Sequence, residues 1–311
     1  MPPVTLIIVA WNQLEKTLAC LESLAALDYP ETAVLLVDNG STPPLAEPVQ
    51  ARFPAVRVLR LESNTGFAGG YNAGLRQAMT EDVDLVMLLN NDTLVAPDAL
   101  GHLVAEAESA PGIGLVTAKI YYAADPQRIW TVGNNLNVFL DITDGGDKQL
   151  DTGQWSAARD VDFAPFCGIL IKREVIETVG YLDEGFFLYY EDMDYCRRAR
   201  QAGYRIRLQP DAHIWHDVSA STGGQESPLK RYWIAQSSGR YFRKHGRGAR
   251  MSAIIPFRAA SALKMSVALA RRGRTEALRA YWAGLRRGWT SDEATAPPPE
   301  WLTQTDPTQR S

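Results

Sequence analysis

Four short stretches carry residues able to do chemistry. Asn90-Asn91-Asp92-Thr93 follows an apolar run at 84–89. A single carboxylate there suits Mg2+ or Mn2+, which keep water and draw further ligands from substrate phosphates. The plainer alternative is a cap for a helix over 97–109, for which Asp92 comes early. Glu191, Asp192 and Asp194 place three acids in four positions at a helix start, where acids are stabilising in any case. The apolar Phe186-Phe187-Leu188 lies just ahead of them. A carboxylate emerging from such surroundings is desolvated and can serve as a base. His216 stands ahead of a Ser/Gly-rich loop at 217–228 and is a candidate metal ligand, although a lone histidine is more often structural. Asn64 to Gly74 carries four glycines in eleven residues. Such a stretch lets backbone N–H groups approach a phosphate, or simply makes a tight strand-to-helix turn.

The elements that must position these residues follow from periodicity. Residues 4–10, 33–37, 56–61 and 84–89 are apolar or β-rich runs and predict strands. Leu14, Leu18, Leu21 and Leu24 predict a helix between the first two. Strands alternating with helices, most of them continuously apolar, imply an α/β fold with a mostly parallel sheet covered on both faces. In such sheets ligands collect at the carboxyl ends of strands. Trp11-Asn12, Asp38-Asn39-Gly40-Ser41, Asn64–Asn72 and Asn90-Asn91-Asp92 all fall there. Farther along, 113–120 and 164–171 predict strands, and 131–160 predicts loops. Residues 172–179 and 190–202 predict helices, and 204–208 an edge strand with His213–His216 after it. A basic helix is expected over 229–245. Pro256 is expected to break the chain before two short amphipathic helices at 259–272 and 275–287.

The 311 residues are 46% apolar, enough for one large domain or two smaller ones. No apolar run approaches the roughly 18–20 residues that cross a bilayer. The first residues lack a basic segment and do not read as a signal peptide. Three scattered cysteines without a CxxC argue against a disulfide framework or a zinc finger. The net charge of −4 conceals an asymmetry: residues 228–290 carry 15 Lys/Arg and one acid, Glu276. An acidic body with a basic tail predicts a polyanionic contact made by the tail.

Taken in order, Ile8-Val9-Ala10-Trp11-Asn12, Val37-Asp38-Asn39-Gly40-Ser41-Thr42, Asn64-Thr65-Gly66-Phe67-Ala68-Gly69-Gly70-Tyr71-Asn72, Leu89-Asn90-Asn91-Asp92-Thr93 and Tyr190-Glu191-Asp192-Met193-Asp194 resemble the family 2 glycosyltransferases. The closest branch by this resemblance is the bacterial rhamnosyltransferase-like enzymes, and the likeness covers about residues 4–245. It implies the GT-A fold, a Rossmann-like, mostly parallel sheet flanked by helices, here with a C-terminal basic helical extension. It implies that Asp38 hydrogen-bonds the pyrimidine base of a nucleotide-sugar donor. Asn64, Gly66 and Gly70 would shape the nucleotide and sugar site, with Ala10, Asn12, Asn39, Phe67, Asn72, Asn90 and Asn91 completing the expected set. Asp92 would be the carboxylate holding a divalent metal, Mn2+ or Mg2+, joined by His216. Asp192 would be the catalytic base, with Glu191 beside it. Asn90 replaces the first Asp of the family's DxD pattern, so metal binding leans on the donor diphosphate. The Gln-x-x-Arg-Trp motif of processive synthases is absent, which implies transfer of one sugar.

The expected chemistry is direct displacement with inversion. A divalent ion and N–H groups neutralise the leaving diphosphate, and one carboxylate deprotonates the acceptor hydroxyl. From the residues alone, Glu191, Asp192 and Asp194 all remain open for that role. The resemblance implies a dTDP-rhamnose or UDP-sugar donor and a lipid-linked or growing surface polysaccharide acceptor. Domains are expected at 1–245, 246–290 (the basic amphipathic tail) and 291–311 (disordered). The tail has three readings: an anionic membrane surface bound through 228–290, a homodimer interface, or a solvated face. Nucleic acid is excluded for want of a recognition motif. A cytoplasmic enzyme, peripheral on the inner face of the membrane, follows. Two rivals are weighed. A sugar-1-phosphate nucleotidylyltransferase would want a Gly-rich, basic loop after the first strand, where Ala10-Trp11-Asn12-Gln13-Leu14 stands instead. A catalytically inactive glycan-binding subunit would lack Asp92 or Asp192, and both are present.

Overall fold

The computed structural model describes residues 1–143, 145–218, 227–291 and 298–303. It holds two compact units. The first comprises Met1–Asn135, Thr143–Leu182 and Asp192–Val218. The second comprises Leu136–Ile142, Asp183–Glu191 and the described residues after Val218.

The first unit is built on one sheet. In chain order it runs β1 (Val4–Ala10), α1 (Leu14–Ala25), β2 (Thr32–Asp38), α2 (Ala46–Arg52), β3 (Arg57–Arg60), α3 (Gly66–Ala78), β4 (Leu85–Asn90), β5 (Thr93–Val95) and α4 (Ala99–Glu108). Then come β6 (Ile113–Tyr122), β7 (Asp125–Thr131), β8 (Arg159–Val161), β9 (Gly168–Lys172), α5 (Arg173–Val179), α6 (Glu191–Gln201) and β10 (Arg205–His216). The strand order is β3-β2-β1-β4-β9-β6-β10-β5, with β7 on β6 and β8 on β10. From β3 to β4 every pairing is parallel. Beyond β4 the sheet is mixed, because β9 runs antiparallel to both β4 and β6.

The apolar runs explain the centre. Leu6, Ile8, Leu36, Met87 and Leu89 are buried in one core with Cys20, Leu21 and Leu24 of α1. The glycines of 64–74 answer a different need from the one their sequence suggests. Gly66, Gly69, Gly70 and Gly74 all lie within α3. A Cβ on Gly70 would sit 2.7 Å from Val9 Cγ1, and one on Gly74 2.6 Å from Ile7 Cγ2. These two glycines therefore let the helix lie close on β1, and only Gly66, at φ +77°, serves the turn itself.

β10 is longer than the edge strand expected at 204–208. Pro210 cannot donate to the ladder, and the pairing with β6 jumps between Gln209 and His213. The strand resumes past this irregularity, so His213–His216 form its second half instead of following it. Between 131 and 160 the chain keeps little regular structure. Asp151 anchors it by accepting from Lys119 Nζ at 2.8 Å and Tyr121 Oη at 2.6 Å.

The second unit is helical: α7 (Pro228–His245), α8 (Met251–Arg271), α9 (Thr275–Thr290) and α10 (Glu300–Thr303). Ser227 caps α7, its Oγ accepting from Lys230 N, with Pro228 in the first turn. The expected boundary at 245 separates α7 from the helices it packs with. α9 lies so close to α7 that a Cβ on Gly288 would fall 2.0 Å from the carbonyl oxygen of Gln236. Small residues at a helix crossing are what permit that approach. Pro256, expected to break the chain, sits in the second turn of α8, a helix of 21 residues in all. Of the expected disordered C-terminus, Glu300–Thr303 is helical with Leu302 buried beside Tyr232 and Trp233. Residues 292–297 and 304–311 lie outside the described residues, as do 219–226 of the loop before α7.

Candidate active site

The carboxyl ends of β1 and β2 hold a closed polar frame. Asp38 ends β2 and is fully buried. Its Oδ1 accepts from Ser41 N at 2.9 Å and its Oδ2 from Leu45 N at 3.0 Å, and Arg60 donates to the same carboxylate. Burial opposes the charge, but the N–H groups of Leu45 and Ser41 together with Arg60 outweigh it and hold the carboxyl below its usual range. The carboxylate has no exposed edge for a base, so it braces the turn 39–45 and does not present a free acceptor. Asn12, at φ +57°, donates its N–H to Ser41 Oγ at 2.8 Å and accepts from Thr42 N at 2.9 Å. Asn39 donates to Asn64 Oδ1 and to Gly66 O, and accepts from Thr65 N. Its own N–H reaches Ala10 O at 2.8 Å. Phe67 lies half-buried with its ring 4.6 Å from that of Tyr71.

Asn72 has a structural partner. Its side chain donates to Leu182 O and accepts from Leu182 N, both at 2.9 Å, so the amide clasps the segment after α5. Arg60, not singled out from sequence, was legible in principle, because in the β2–β3 register it is the residue opposite Asp38.

The carboxyl end of β4 is different. Asn90 ends the strand and Asp92 lies in the tight turn before β5. β5 pairs antiparallel with the end of β10, matching His216 with Thr93. That pairing brings the imidazole to Asp92, with His216 Nε2 3.1 Å from Asp92 Oδ1 and 3.3 Å from Asn90 Nδ2. Asp217 N also donates to Asp92 O at 3.0 Å. Asn91 turns the other way and donates to Thr17 Oγ1 on α1. Asp92 Oδ1 is a buried atom that faces this imidazole, and no backbone N–H among the described residues donates to it. Burial opposes charge on the imidazole, but Cys167 and Asp92 beside it push its pKa up to about 10. Trp130 presents its ring edge-on to this histidine at 4.8 Å.

β9 links this corner to the acids of α6. Because β9 runs antiparallel to β4, the residues that precede it cross the carboxyl end of β4. Cys167 O accepts from Asn90 N, and Cys167 lies against His216. Next to it, the N–H of Phe166 points to Asp192. Asp192, half-buried at the second position of α6, accepts from Met193 N at 2.8 Å. Burial pushes its carboxyl up to about 7, against the N–H groups of Met193, Asp192 and Phe166. Asp194 is fully buried and ion-paired to Arg198 at 2.8 Å, which leaves it a structural charge. Glu191 is buried and belongs with the second unit. Sequence reading missed Phe166 and Cys167, which act here through backbone and neighbourhood. No residue type announces such a role.

Two groups fit a divalent cation by type, the Asp92 carboxylate and the His216 imidazole that faces it at 3.1 Å, where the cation would take the place of the imidazole proton. Among the described residues no cluster of three or more His, Cys, Asp or Glu side chains forms a fuller cage. Such a pair suits an ion that completes its coordination with water and substrate phosphate.

A central, partly parallel sheet flanked by helices, with polar residues at the carboxyl ends of its strands, defines an α/β protein. The chain matches the model of the glycosyltransferase-like family 2 over residues 2–247, and it belongs to that family. An uncharacterized protein of Sinorhizobium fredii is 31% identical over 244 residues, 74% of this chain and 26% of that one. A poly-beta-1,6-N-acetyl-D-glucosamine synthase of Staphylococcus epidermidis is 25% identical over 223 residues, 71% of this chain and 51% of that one. The chain thus spans about half or less of these two relatives. An N-acetylglucosaminyl-diphospho-decaprenol L-rhamnosyltransferase of Mycobacterium tuberculosis is 27% identical over 226 residues, 65% of this chain and 72% of that one. Among solved structures, a mannosyltransferase from Pyrobaculum calidifontis, in complex with GDP-Man and Mn2+, superposes with a TM-score of 0.59 at 19% identity. It covers 94% of this chain and 88% of that one. The fold is GT-A.

Proposed function

We propose that this protein transfers one sugar, with inversion, from a pyrimidine nucleotide-sugar to a hydroxyl of a lipid-linked or growing surface polysaccharide. dTDP-rhamnose and UDP-sugars are the favoured donors, in keeping with the mycobacterial relative's name. The observation that carries the reading is the chain of contacts Asp92–His216–Cys167–Phe166–Asp192, in which two consecutive residues ahead of β9 link the carboxylate–imidazole pair to a desolvated carboxyl.

Asp92 and His216 would hold a divalent ion, Mn2+ or Mg2+. When bound, it neutralises the charge that builds on the leaving diphosphate. Asp192 takes the proton of the acceptor hydroxyl as that oxygen bonds to the anomeric carbon. The bond from that carbon to the diphosphate oxygen breaks on the opposite face, and the nucleoside diphosphate departs. A carboxyl poised at about 7 is half ionised at neutral pH and basic enough to accept a proton from an attacking hydroxyl. Glu191 is a neighbour of the base in sequence and has no assigned step. Asp38, Asn12, Asn39, Asn64, Gly66, Phe67 and Gly70 build the frame that would seat the nucleotide, with Asp38 acting through the turn it braces.

The test is a thermal-shift screen against UDP-, dTDP-, GDP- and CMP-sugars, with and without Mn2+, since a ligand of the folded state raises its stability. It is followed by NMR of the product's anomeric centre. A metal-dependent shift with dTDP- or UDP-sugars and an inverted product is the expected result. A shift with GDP-sugars alone, or a retained anomer, overturns it.

A further inference from the structure

The second unit contains a helix whose outer surface is unlike that of a water-exposed helix. Of the described residues, Gly248–Arg271 is the one helical stretch long and apolar enough to match a membrane by length and composition, yet only 17% of that window is buried. The sequence expectation of no such stretch missed it, because Pro256, Arg258 and Lys264 interrupt the apolar run without ending the helix. α8 uses a narrow seam, Ile254, Ala262 and Leu269, for packing, with the last two joining Ala277 and Tyr281 of α9. At about 100° per residue, Ala259, Leu263, Pro256, Val267, Ala260 and Ala270 fall on the opposite side. Leu263 is 65% exposed and Ile255 52%. A surface helix normally turns its polar residues outward, and a continuous exposed apolar strip marks an interaction surface.

The same unit widens this strip. Phe139 stacks on Phe257 of α8 at 4.7 Å, and its neighbour Val138 is 71% exposed. Charge identifies what covers the strip. Lys264 and Arg271 flank it, and Arg247, Arg250, Arg272 and Arg274 stand at the helix ends. No acid occurs from residue 228 to 275. A second copy of the chain would bring an equally basic face, so self-pairing would set like charges together. An anionic lipid surface offers acyl chains for the strip and phosphates for its rim. Crossing the bilayer is excluded by Arg258 and Lys264 at mid-helix and by the packing of α8 on α9, whose own Arg279, Arg286 and Arg287 would have to follow it.

We infer that α8, with the Val138-Phe139 turn beside it, lies in the plane of an anionic membrane, its Leu263–Val267 side sunk among acyl chains and its lysine and arginine rim on lipid phosphates. This deepens the proposed function, because it holds the enzyme at the surface where a lipid-linked acceptor is found.

Flotation of the full chain with vesicles of phosphatidylcholine and phosphatidylglycerol, or of phosphatidylcholine alone, tests it without sugar nucleotide or metal. It can therefore fail while the transferase reading stands, and the converse. The chain is expected to float with the mixed vesicles and to be released by salt. L263E/V267E replaces two exposed side chains and is expected to keep the parent's melting temperature while binding about tenfold or more weakly. K264E/R271E is expected to lose the preference for phosphatidylglycerol. L150E, the same kind of change at an exposed leucine of the first unit, is expected to float as the parent does. A parent that does not float, or an L263E/V267E variant that floats equally well, overturns the inference. So does a dimer in light scattering that L263E/V267E splits, since a second copy would then cover the strip.

Discussion

Two neighbouring corners at the carboxyl ends of the parallel strands are built from similar residues and behave in opposite ways. At β1 and β2, Asp38, Asn12, Asn39 and Asn64 close on one another and on backbone N–H groups. The Asp38 carboxylate accepts from two N–H groups and a guanidinium. At β4, the side chains of Asp92 and His216 are 5% and 10% exposed and pair with each other at 3.1 Å, with no backbone N–H among the described residues donating to Asp92 Oδ1. A carboxylate braced by backbone N–H groups is fixed in place, whereas one paired with an imidazole can exchange that partner for another cation. Both corners present carboxylates and asparagines after apolar strands, and only the partner inventory tells them apart.

The comparison can be broken most severely at Asp192. Asp192→Asn should lower the transfer rate about 1,000-fold, the usual scale for a lost general base, while the protein still folds. Initial rates together with a melting curve check this, and a rate within tenfold of the parent removes Asp192 from the mechanism. The same carboxyl gives a pH test of definite sign. Its folded pKa, about 7, lies above its ordinary value of 3.8, so the protonated form is favoured by folding. The associated stability is present below pH 4 and is lost as pH rises through 7. Asp192→Asn should match the parent's stability near pH 4 and exceed it above pH 7 in urea titrations. The rate of the parent should rise through about pH 7 and level off.

The scaffold side should respond in stability instead. Asp38→Ala strands Ser41 N, Leu45 N and Arg60, and should cost about 3 kcal/mol of unfolding free energy, measured by urea denaturation. A variant of unchanged stability would mean that the closed frame carries nothing. His216→Ala should fold and should abolish the Mn2+-dependent part of the thermal shift given by a sugar nucleotide. At ligand one hundred times its dissociation constant, the whole stabilisation of the parent is about 2.7 kcal/mol, and the variant should lose the share of it that requires Mn2+. Persistence of the full shift would exclude the imidazole from metal binding. Gly70→Ala is the mildest change. Its methyl group would press on Val9 at 2.7 Å, and overpacking of this kind costs about 1–3 kcal/mol, visible as a lower melting temperature with an unaltered pH profile.

How much of this was legible in the chain varies with the range of the interaction. The apolar runs of β1, β2 and β4 are local signals, and their strands stand where periodicity puts them, while β9 begins at Gly168, later than the 164 expected. Asp92 as a carboxylate after a buried strand and Asp192 at a helix start were legible for the same reason. Whether Asp38 is free or occupied was not, because its partners come from residues 41, 45 and 60 folded back upon it. Asn72 shows the same limit: its place in a Gly-rich motif suggests a ligand contact, but Leu182, 110 residues away, holds both ends of its amide. α8 is the converse case. Pro256 argued for a break, and tertiary packing along the Ile254–Leu269 seam accommodates an uninterrupted helix.

Sequence alone determined the class of the protein, since alternating apolar runs specify an α/β fold and five short motifs in order carry the resemblance to its family. Tertiary structure decided which of the polar residues are tied to backbone N–H groups and which side chains face one another. Antiparallel β9 carries Phe166 and Cys167 across the end of β4, and the β5–β10 pairing delivers His216 to Asp92, more than 120 residues away in the chain. Hydrogen-bond saturation and desolvation depend on what surrounds a side chain in three dimensions, and no local pattern of residue types encodes that.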